Sequence, residues 1–223
     1  MQHETPTSAG DERERIEAVR IGPFGLEGRL VVPRDASGLV LFAHGSGSSR
    51  MSPRNNYVAV ALRRSGLATL LFDLLTNEEE ADRANVFDIE LLADRLLMAT
   101  SWASEHDPAG RLPVGYFGAS TGAAAALVAA ARRAGRIGAI VSRGGRPDLA
   151  GSALPKVTVP TLLIVGGQDH KVLALNRDAL ALLTCEKHLA VVPGATHLFE
   201  EPGTLDAVVD LARRWFERHL GRA

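Results

Sequence analysis

One serine lies in a sequence pattern that is typical of a nucleophile. Ser120 is the central residue of Gly-Ala-Ser-Thr-Gly, residues 118–122, with an apolar run before it and an alanine-rich stretch after it. A strand that turns at once into a helix strains the backbone of the middle residue and projects its hydroxyl above the sheet. The start of that helix supplies backbone N–H groups and positive partial charge. So short a pattern can also arise by chance, but its strand–turn–helix setting favours a nucleophile.

A serine nucleophile needs a base and a group that orients the base. Asp169 follows the apolar run 161–165, and His197 comes shortly after the run 189–192. The chain order serine, acid, histidine is the one expected after such a turn. Taken singly, Asp169 could instead cap the next helix, and His197 could be an ordinary loop histidine. Their joint placement after two strands favours a catalytic Ser120–His197–Asp169 arrangement.

A loop rich in small residues, His-Gly-Ser-Gly-Ser-Ser-Arg at positions 44–50, follows the apolar run 39–43. Acyl transfer needs two N–H donors aimed at the developing oxyanion. We expect these donors to be the backbone N–H groups of Thr121 and Ser46. The alternative is a phosphate-binding loop, but Arg50 stands where the third glycine of that pattern is required, and no Gly-Lys-Ser/Thr is present.

Several arginines follow strands near the same predicted edge of the sheet: Arg50, Arg54, Arg143 and Arg146. Guanidinium groups bind carboxylates and phosphates in a bidentate manner, so Arg50, Arg54 and Arg143 are candidates for substrate binding. The alternative is that these arginines pair with Glu78, Glu79 and Glu80, which lie in an acidic loop predicted at residues 78–82. We favour the ion pairs, because they are the more frequent use of charge at such positions.

Alternating strands and helices must position these residues. Continuous apolar runs predict strands that are buried on both faces, and apolar stripes predict amphipathic helices. Strands are expected at residues 17–21, 26–32, 39–43, 68–72, 113–117, 139–141, 161–165 and 189–192, and helices at 53–64, 89–103, 121–134, 173–183 and 205–220. The pattern predicts an α/β protein with a mostly parallel sheet of about eight strands, an N-terminal antiparallel hairpin, helices on both faces and no large lid.

Composition excludes several classes of protein. The 223 residues carry 25 Lys+Arg against 26 Asp+Glu, a balance that argues against a nucleic-acid partner. The single cysteine, Cys185, excludes internal disulfides. No apolar run reaches the roughly 18 residues of a membrane span, so we expect a cytoplasmic protein without a membrane partner. We expect a flexible tail at residues 1–12 and one domain over residues 13–223.

The motifs together resemble a known family. His-Gly-Ser-Gly-Ser-Ser at 44–49, Gly-Ala-Ser-Thr-Gly at 118–122, Gly-Gly-Gln-Asp at 166–169 and Gly-Ala-Thr-His at 194–197 resemble the α/β-hydrolase fold, specifically the dienelactone hydrolase family. The resemblance extends over about residues 28–220. The stretches 142–150 and 192–202 look like hydrolase domains that some bacteria fuse to a phosphoribosyltransferase-like domain. Dienelactone hydrolases proper use a cysteine nucleophile, so Ser120 favours a general serine esterase.

The resemblance and the motifs predict a serine hydrolase that cleaves small, short-chain carboxylic esters or lactones through an acyl-enzyme. This chemistry requires no metal and no organic cofactor. Two other functions remain open. The chain could be a small-molecule-binding protein without catalysis, or a related peptidase, thioesterase or acyltransferase. The sequence leaves the physiological substrate and the oligomeric state open.

Overall fold

The computed structural model describes residues 14–221, so the predicted tail at residues 1–12 lies outside the described part. Between residues 14 and 221 there are eight strands and seven α-helices. The strands are β1 (Glu14–Ile21), β2 (Leu26–Pro33), β3 (Gly38–Ala43), β4 (Leu67–Phe72), β5 (Val114–Ala119), β6 (Ile137–Arg143), β7 (Thr161–Gly166) and β8 (Lys187–Val192). The helices are α1 (Pro53–Arg64), α2 (Asn77–Glu80), α3 (Arg83–Phe87), α4 (Ile89–Glu105), α5 (Thr121–Arg132), α6 (His170–Leu182) and α7 (Thr204–Leu220).

All eight strands form one sheet, in the order β1-β2-β4-β3-β5-β6-β7-β8. Strands β1 and β2 form an antiparallel hairpin, and β2 is antiparallel to β4, whereas the remaining neighbours are parallel. Every residue of β3, β4, β5 and β7 is buried, as their continuous apolar runs predict. The predicted fold class is confirmed.

Helices cover both faces of the sheet, because successive strand residues point to opposite sides. Leu41 of β3 packs in the core beneath α4 and α5, whereas its neighbour Phe42 packs in the core beneath α1 and α7. Ten of the twelve residues of α5 are buried, and most of them are alanines. Their small side chains let α5 lie close to the sheet. Helix α4 and the segment after β6 pack against α5.

Several local expectations differ from the structure. The sequence predicts a loop at the acidic stretch 78–82, but this stretch begins with helix α2, whose cap at Thr76 exchanges hydrogen bonds with Glu79. Helix α5 ends at Arg132 rather than at 134, and β6 begins at Ile137, earlier than expected. The segment between β6 and β7 holds only the 3₁₀ stretch Pro147–Lys156, which agrees with the expected lack of a large lid.

Within residues 14–221, no helix has both the length and the apolar character needed to cross a membrane.

Candidate active site

Ser120 lies at the sharp turn between β5 and α5. Its backbone has φ 50° and ψ −121°, and only one other non-glycine residue between 14 and 221, Phe199, has a positive φ. Neighbouring segments hold this strained conformation. The Ser120 N–H donates to the carbonyl of Arg143 at 3.4 Å, and the Ser120 carbonyl accepts from the N–H of Arg146 at 3.1 Å. The end of β6 and the loop after it therefore fix the turn on both sides of the serine.

Two flanking glycines make the turn sterically possible. A Cβ at Gly118 would lie 2.5 Å from Cα of Ala123, and a Cβ at Gly122 would overlap the carbonyl oxygen of Ala43. Helix α5 therefore starts in direct contact with the end of β3. These contacts explain why the pattern at 118–122 needs glycine at both ends.

We expect Gly122→Ala to destabilise the fold by about 2–4 kcal/mol, because the added methyl group must displace backbone rather than a flexible side chain. The denaturant midpoint of unfolding measures this loss. Gly135→Ala is the matched control, since nothing lies within 4 Å of a Cβ built at Gly135. If both variants unfold at the wild-type midpoint, close packing of α5 against β3 does not constrain the turn.

Asp169 and His197 are joined by a short hydrogen bond. Nδ1 of His197 lies 2.6 Å from Oδ2 of Asp169, and the Asp169 side chain is only 14% exposed. With Nδ1 donating to the carboxylate, Nε2 of the neutral ring is left as an acceptor. Oδ1 of Asp169 also accepts the Val172 N–H at 3.4 Å and so caps α6. Asp169 therefore combines the two roles that the sequence presented as alternatives, cap and histidine partner.

Backbone hydrogen bonds join the loops after β7 and β8, and these bonds hold Asp169 and His197 in place. The Gln168 N–H donates to the carbonyl of Ala195 at 2.9 Å, and the Gly167 N–H donates to that of Val192 at 2.8 Å. A Cβ at Gly166 would overlap the Ala195 carbonyl oxygen. Asp169 and His197 consequently sit on two segments that share backbone hydrogen bonds.

Ser120 and His197 line the same open cleft, which has a volume of about 490 Å³. Among the described residues, no hydrogen bond joins the Ser120 hydroxyl to His197. Catalytic hydrogen bonds of unliganded enzymes are often long and tighten only around a substrate. The structure therefore brings all three predicted residues to one edge of the sheet, with the bond from His197 to Asp169 already formed.

The two residues expected to supply oxyanion donors are adjacent, but the backbone N–H of Ser46 already donates a hydrogen bond to a side chain. The Ser46 N–H donates to the hydroxyl Oγ1 of Thr121 at 3.0 Å. Thr121 is the first residue of α5, where backbone N–H groups have no acceptor within the helix. The structure brings both predicted residues together, and it adds a contact that the sequence does not reveal, because Oγ1 of Thr121 accepts the Ser46 N–H.

His44 holds the loop that carries Ser46, a role that the sequence did not reveal. Its Nε2 accepts the Leu74 N–H at 3.0 Å, so Nδ1 carries the proton and donates to the Gly45 carbonyl at 3.1 Å. Burial lowers the pKa of His44, which keeps the ring neutral. Gly45 in turn approaches the serine closely, since a Cβ there would lie 2.8 Å from Cβ of Ser120.

The arginines have other partners than Glu78, Glu79 and Glu80, so that predicted pairing is wrong. Arg50 pairs with Asp73 and Glu27, and Nη1 of Arg54 lies 3.1 Å from Oε1 of Glu200. Arg146 pairs with Asp148 through two hydrogen bonds. Glu79 is occupied by the cap at Thr76 and by Arg95. The short helix α2 turns Glu79 toward α4 rather than toward the cleft.

Arg143 has no carboxylate partner among the described residues. Its side chain is buried, and Nη2 donates to Oδ1 of Asn55 at 3.3 Å, while Nε and Nη1 have no partner within residues 14–221. Burial, and secondarily the charge of Arg54, lower the pKa of Arg143 to about 10, so the guanidinium stays charged at neutral pH. Arg54 and Arg143 line the cleft, whereas Arg50 lies outside it.

Within residues 14–221, no group of three or more His, Cys, Asp or Glu side chains could hold a metal ion.

Comparisons with known proteins identify chains of similar structure and sequence. No protein-family model matches the chain. The structure is similar to a crystal structure of dienelactone hydrolase from Anabaena variabilis, with 57% identity and a TM-score of 0.90, over 95% of this chain and all of that one. Est1E from Butyrivibrio proteoclasticus shares the fold at 16% identity and a TM-score of 0.77, over 92% of this chain and 98% of that one.

Two curated proteins of Mycobacterium tuberculosis are similar in sequence. Each carries a provisional phosphoribosyl transferase name and is 60% identical over 215 residues, which are 96% of this chain and 48% of each relative. The chain thus spans about half the length of the curated relatives it matches.

Proposed function

The chain belongs to the dienelactone hydrolase family, on the α/β-hydrolase fold, and from this premise we propose that it is a serine hydrolase of small carboxylic esters. One observation carries the proposal. The 2.6 Å hydrogen bond from His197 to Asp169 lies beside the strained Ser120 turn, and Ser120 and His197 line one open cleft. Such an arrangement activates a serine hydroxyl.

In the proposed acylation step, Oγ of Ser120 attacks the ester carbonyl while Nε2 of His197 takes the hydroxyl proton. Asp169 holds the imidazole in the tautomer that can accept this proton, and its charge stabilises the imidazolium that forms. His197 then gives the proton to the leaving alcohol. In the second half of the reaction, His197 activates a water molecule, which attacks the acyl-enzyme and releases the acid and free Ser120.

The oxyanion of each tetrahedral intermediate binds to the N–H groups of Thr121 and Ser46 in this proposal. The Ser46 N–H now donates to a neutral hydroxyl, and an oxyanion is a stronger acceptor than a hydroxyl. Formation of the intermediate therefore draws the Ser46 N–H away from the Thr121 side chain. The position of Thr121 at the start of α5 adds the positive end of the helix dipole to this site.

The open shape of the cleft favours substrates with short acyl groups. Between β6 and β7 the chain forms only the 3₁₀ stretch Pro147–Lys156, which packs against α5 and leaves the cleft open. An open cleft leaves most of a long acyl chain in water. Ordering the longer chain then costs entropy without a matching gain in burial, so short acyl groups are favoured. Esters and lactones share the carbonyl chemistry proposed for Ser120.

The test is hydrolysis of p-nitrophenyl acetate, butyrate and octanoate, together with labelling by a fluorophosphonate. We expect higher kcat/KM for acetate and butyrate than for octanoate, and a single adduct on the peptide that contains Ser120. Mass spectrometry locates the adduct. Saturable ligand binding without turnover and without labelling would instead identify a non-catalytic binding protein.

A further inference from the structure

The end of β6 and the loop after it hold the backbone of Ser120. We call the last residue of β6 and the three residues after it, residues 143–146, the junction loop. The Arg143 carbonyl accepts the Ser120 N–H at 3.4 Å, and the Arg146 N–H donates to the Ser120 carbonyl at 3.1 Å. Ser120 has a strained backbone with φ 50°, which persists only where neighbouring groups hold it. The position of the junction loop therefore constrains the direction of the Ser120 side chain.

The junction loop also lies against His197. Gly144 has φ 52°, and a Cβ built there would lie 3.1 Å from the His197 carbonyl oxygen and 3.6 Å from Cε1 of the ring. One loop is thus in contact with both the proposed nucleophile and its proposed base. A displacement of this loop changes the distance between Oγ of Ser120 and Nε2 of His197.

Asn176 anchors the junction loop to α6. Its side-chain nitrogen Nδ2 donates to the Gly145 carbonyl at 3.0 Å and to the Val172 carbonyl at 2.8 Å. Both neighbours are carbonyl oxygens, so only the NH₂ group of the amide can face them. The first bond crosses from the helix to the loop, and the second lies within the helix.

Asn176 is a costly choice for a residue that only fills space. It lies inside α6 and is 0% exposed, and its Oδ1 has no hydrogen-bond partner within residues 14–221. Asparagine is a weak helix former, and a buried oxygen without a donor loses its hydration. Leucine or alanine would avoid both costs. What an apolar side chain cannot supply is the hydrogen bond to the Gly145 carbonyl.

Helix α6 also carries Asp169, the partner of the proposed catalytic histidine. Oδ1 of Asp169 accepts the Val172 N–H at 3.4 Å, and the carbonyl of the same Val172 accepts from Asn176. Asn176 therefore connects the helix that carries the acid with the loop that holds the nucleophile. It lies outside the cleft, so a substrate bound at the serine does not touch it.

We propose that Asn176 is a positioning residue for the serine hydrolase reaction. Its bond to Gly145 holds the junction loop in the place where Oγ of Ser120 meets Nε2 of His197. This inference rests on the proposed function. Loss of the bond lets the loop shift, and a misplacement of about 1 Å between reacting groups costs about 100-fold in rate.

Two variants of this residue test the role. Asn176→Leu removes both bonds with a side chain of similar size. Asn176→Ser can still bond to the carbonyl four residues earlier in the helix, but it does not reach Gly145, and it decides the question if Asn176→Leu does not fold. We expect both variants to lower kcat and kcat/KM for p-nitrophenyl acetate by a similar factor, on the order of 10- to 100-fold.

Labelling by a fluorophosphonate distinguishes slow molecules from unfolded ones. In both variants of Asn176 the labelling should be slower by a similar factor, yet it should still reach one adduct per chain. A sample that is partly unfolded would instead label at the wild-type rate and stop short of one adduct. Incomplete labelling of that kind would show a purely structural role and overturn the proposal.

Thr161→Val is the matched control. Thr161 is also buried, and its Oγ1 donates to the Val159 carbonyl at 2.8 Å, but it lies at the start of β7, at the opposite edge of the sheet from the cleft. We expect this variant to unfold at a lower denaturant concentration, because it loses a buried hydrogen bond, and to keep the wild-type kcat. Wild-type kcat in folded Asn176→Leu and Asn176→Ser proteins would overturn the positioning role.

Hydrogen exchange separates this inference from the proposed function. In Asn176→Ser, peptides that contain residues 118–122 and 143–146 should exchange their amide hydrogens faster than in the wild type, because a looser junction loop weakens its bonds to Ser120. Exchange at the wild-type rate in these peptides would overturn the anchoring by Asn176. Faster exchange, with no ester hydrolysis by the wild-type protein, would support the anchor and overturn the hydrolase function.

Discussion

Ser120→Ala is expected to reduce kcat/KM for p-nitrophenyl acetate by on the order of 10³-fold or more. Alanine keeps the small side chain that the turn between β5 and α5 requires, but it has no oxygen to attack the carbonyl. Neighbouring donors can still polarise the ester, so a residual rate above that in buffer remains. Initial rates with purified wild-type and variant proteins measure the loss, and thermal melting confirms that the variant is folded.

Ser142→Ala is the matched control for this loss. Ser142 lies in β6, directly beside β5, and its buried hydroxyl has no partner among the described residues. Its removal is expected to leave the esterase rate close to that of the wild type. Equal activity of the Ser120→Ala and wild-type proteins would show that the turn at residue 120 is not the active site.

The sheet and its helices could be predicted because the local signals are strong. Continuous apolar runs identify β3, β4, β5 and β7, and each of these strands is buried throughout. Short elements were harder to predict. Helix α2 has only four residues, and its best signal is the pair Thr76 and Glu79, whose spacing matches a capping box. That signal was present in the sequence, but the three consecutive glutamates resemble a loop.

The structure brings the predicted site residues together, but it also contains contacts that the sequence does not predict. Ser120, Asp169 and His197 each follow a strand, so parallel topology brings them to one edge of the sheet. Side-chain partners across the sheet carry no such local signal. The hydrogen bond from the Ser46 N–H to Thr121 joins residues 75 positions apart.

The sequence does not predict the ion-pair partners of the arginines either, because contacts between distant parts of the chain have no local signal. Arg50 pairs with Asp73, and Arg54 pairs with Glu200, rather than with the acidic stretch near residue 79. Buried Asn176 was also missed, although its side-chain amide donates to the Gly145 carbonyl at 3.0 Å and so ties α6 to the loop after β6. A lone asparagine inside a helix has no signal in the sequence that would identify this role.

The two contacts of Asp169 make its substitutions informative. The Asp169→Asn variant can still cap α6, because asparagine and aspartate are about equally good at that position. The new side-chain amide can instead donate to Nδ1 of His197, which moves the ring proton to Nε2 and leaves no acceptor for the Ser120 proton. We therefore expect Asp169→Asn to lower kcat by about 10³- to 10⁴-fold with little change in the free energy of unfolding.

Asp169→Ala removes the cap as well, so it should lose a similar factor in kcat and about 1 kcal/mol of stability in addition. Asp88→Asn is the matched control, since Asp88 caps α4 by accepting the Leu91 N–H at 3.0 Å and does not line the cleft. Esterase rates and urea unfolding curves for the three variants separate the two roles. If Asp169→Asn stays within about tenfold of the wild-type kcat, Asp169 serves only as a helix cap, and another group must orient His197.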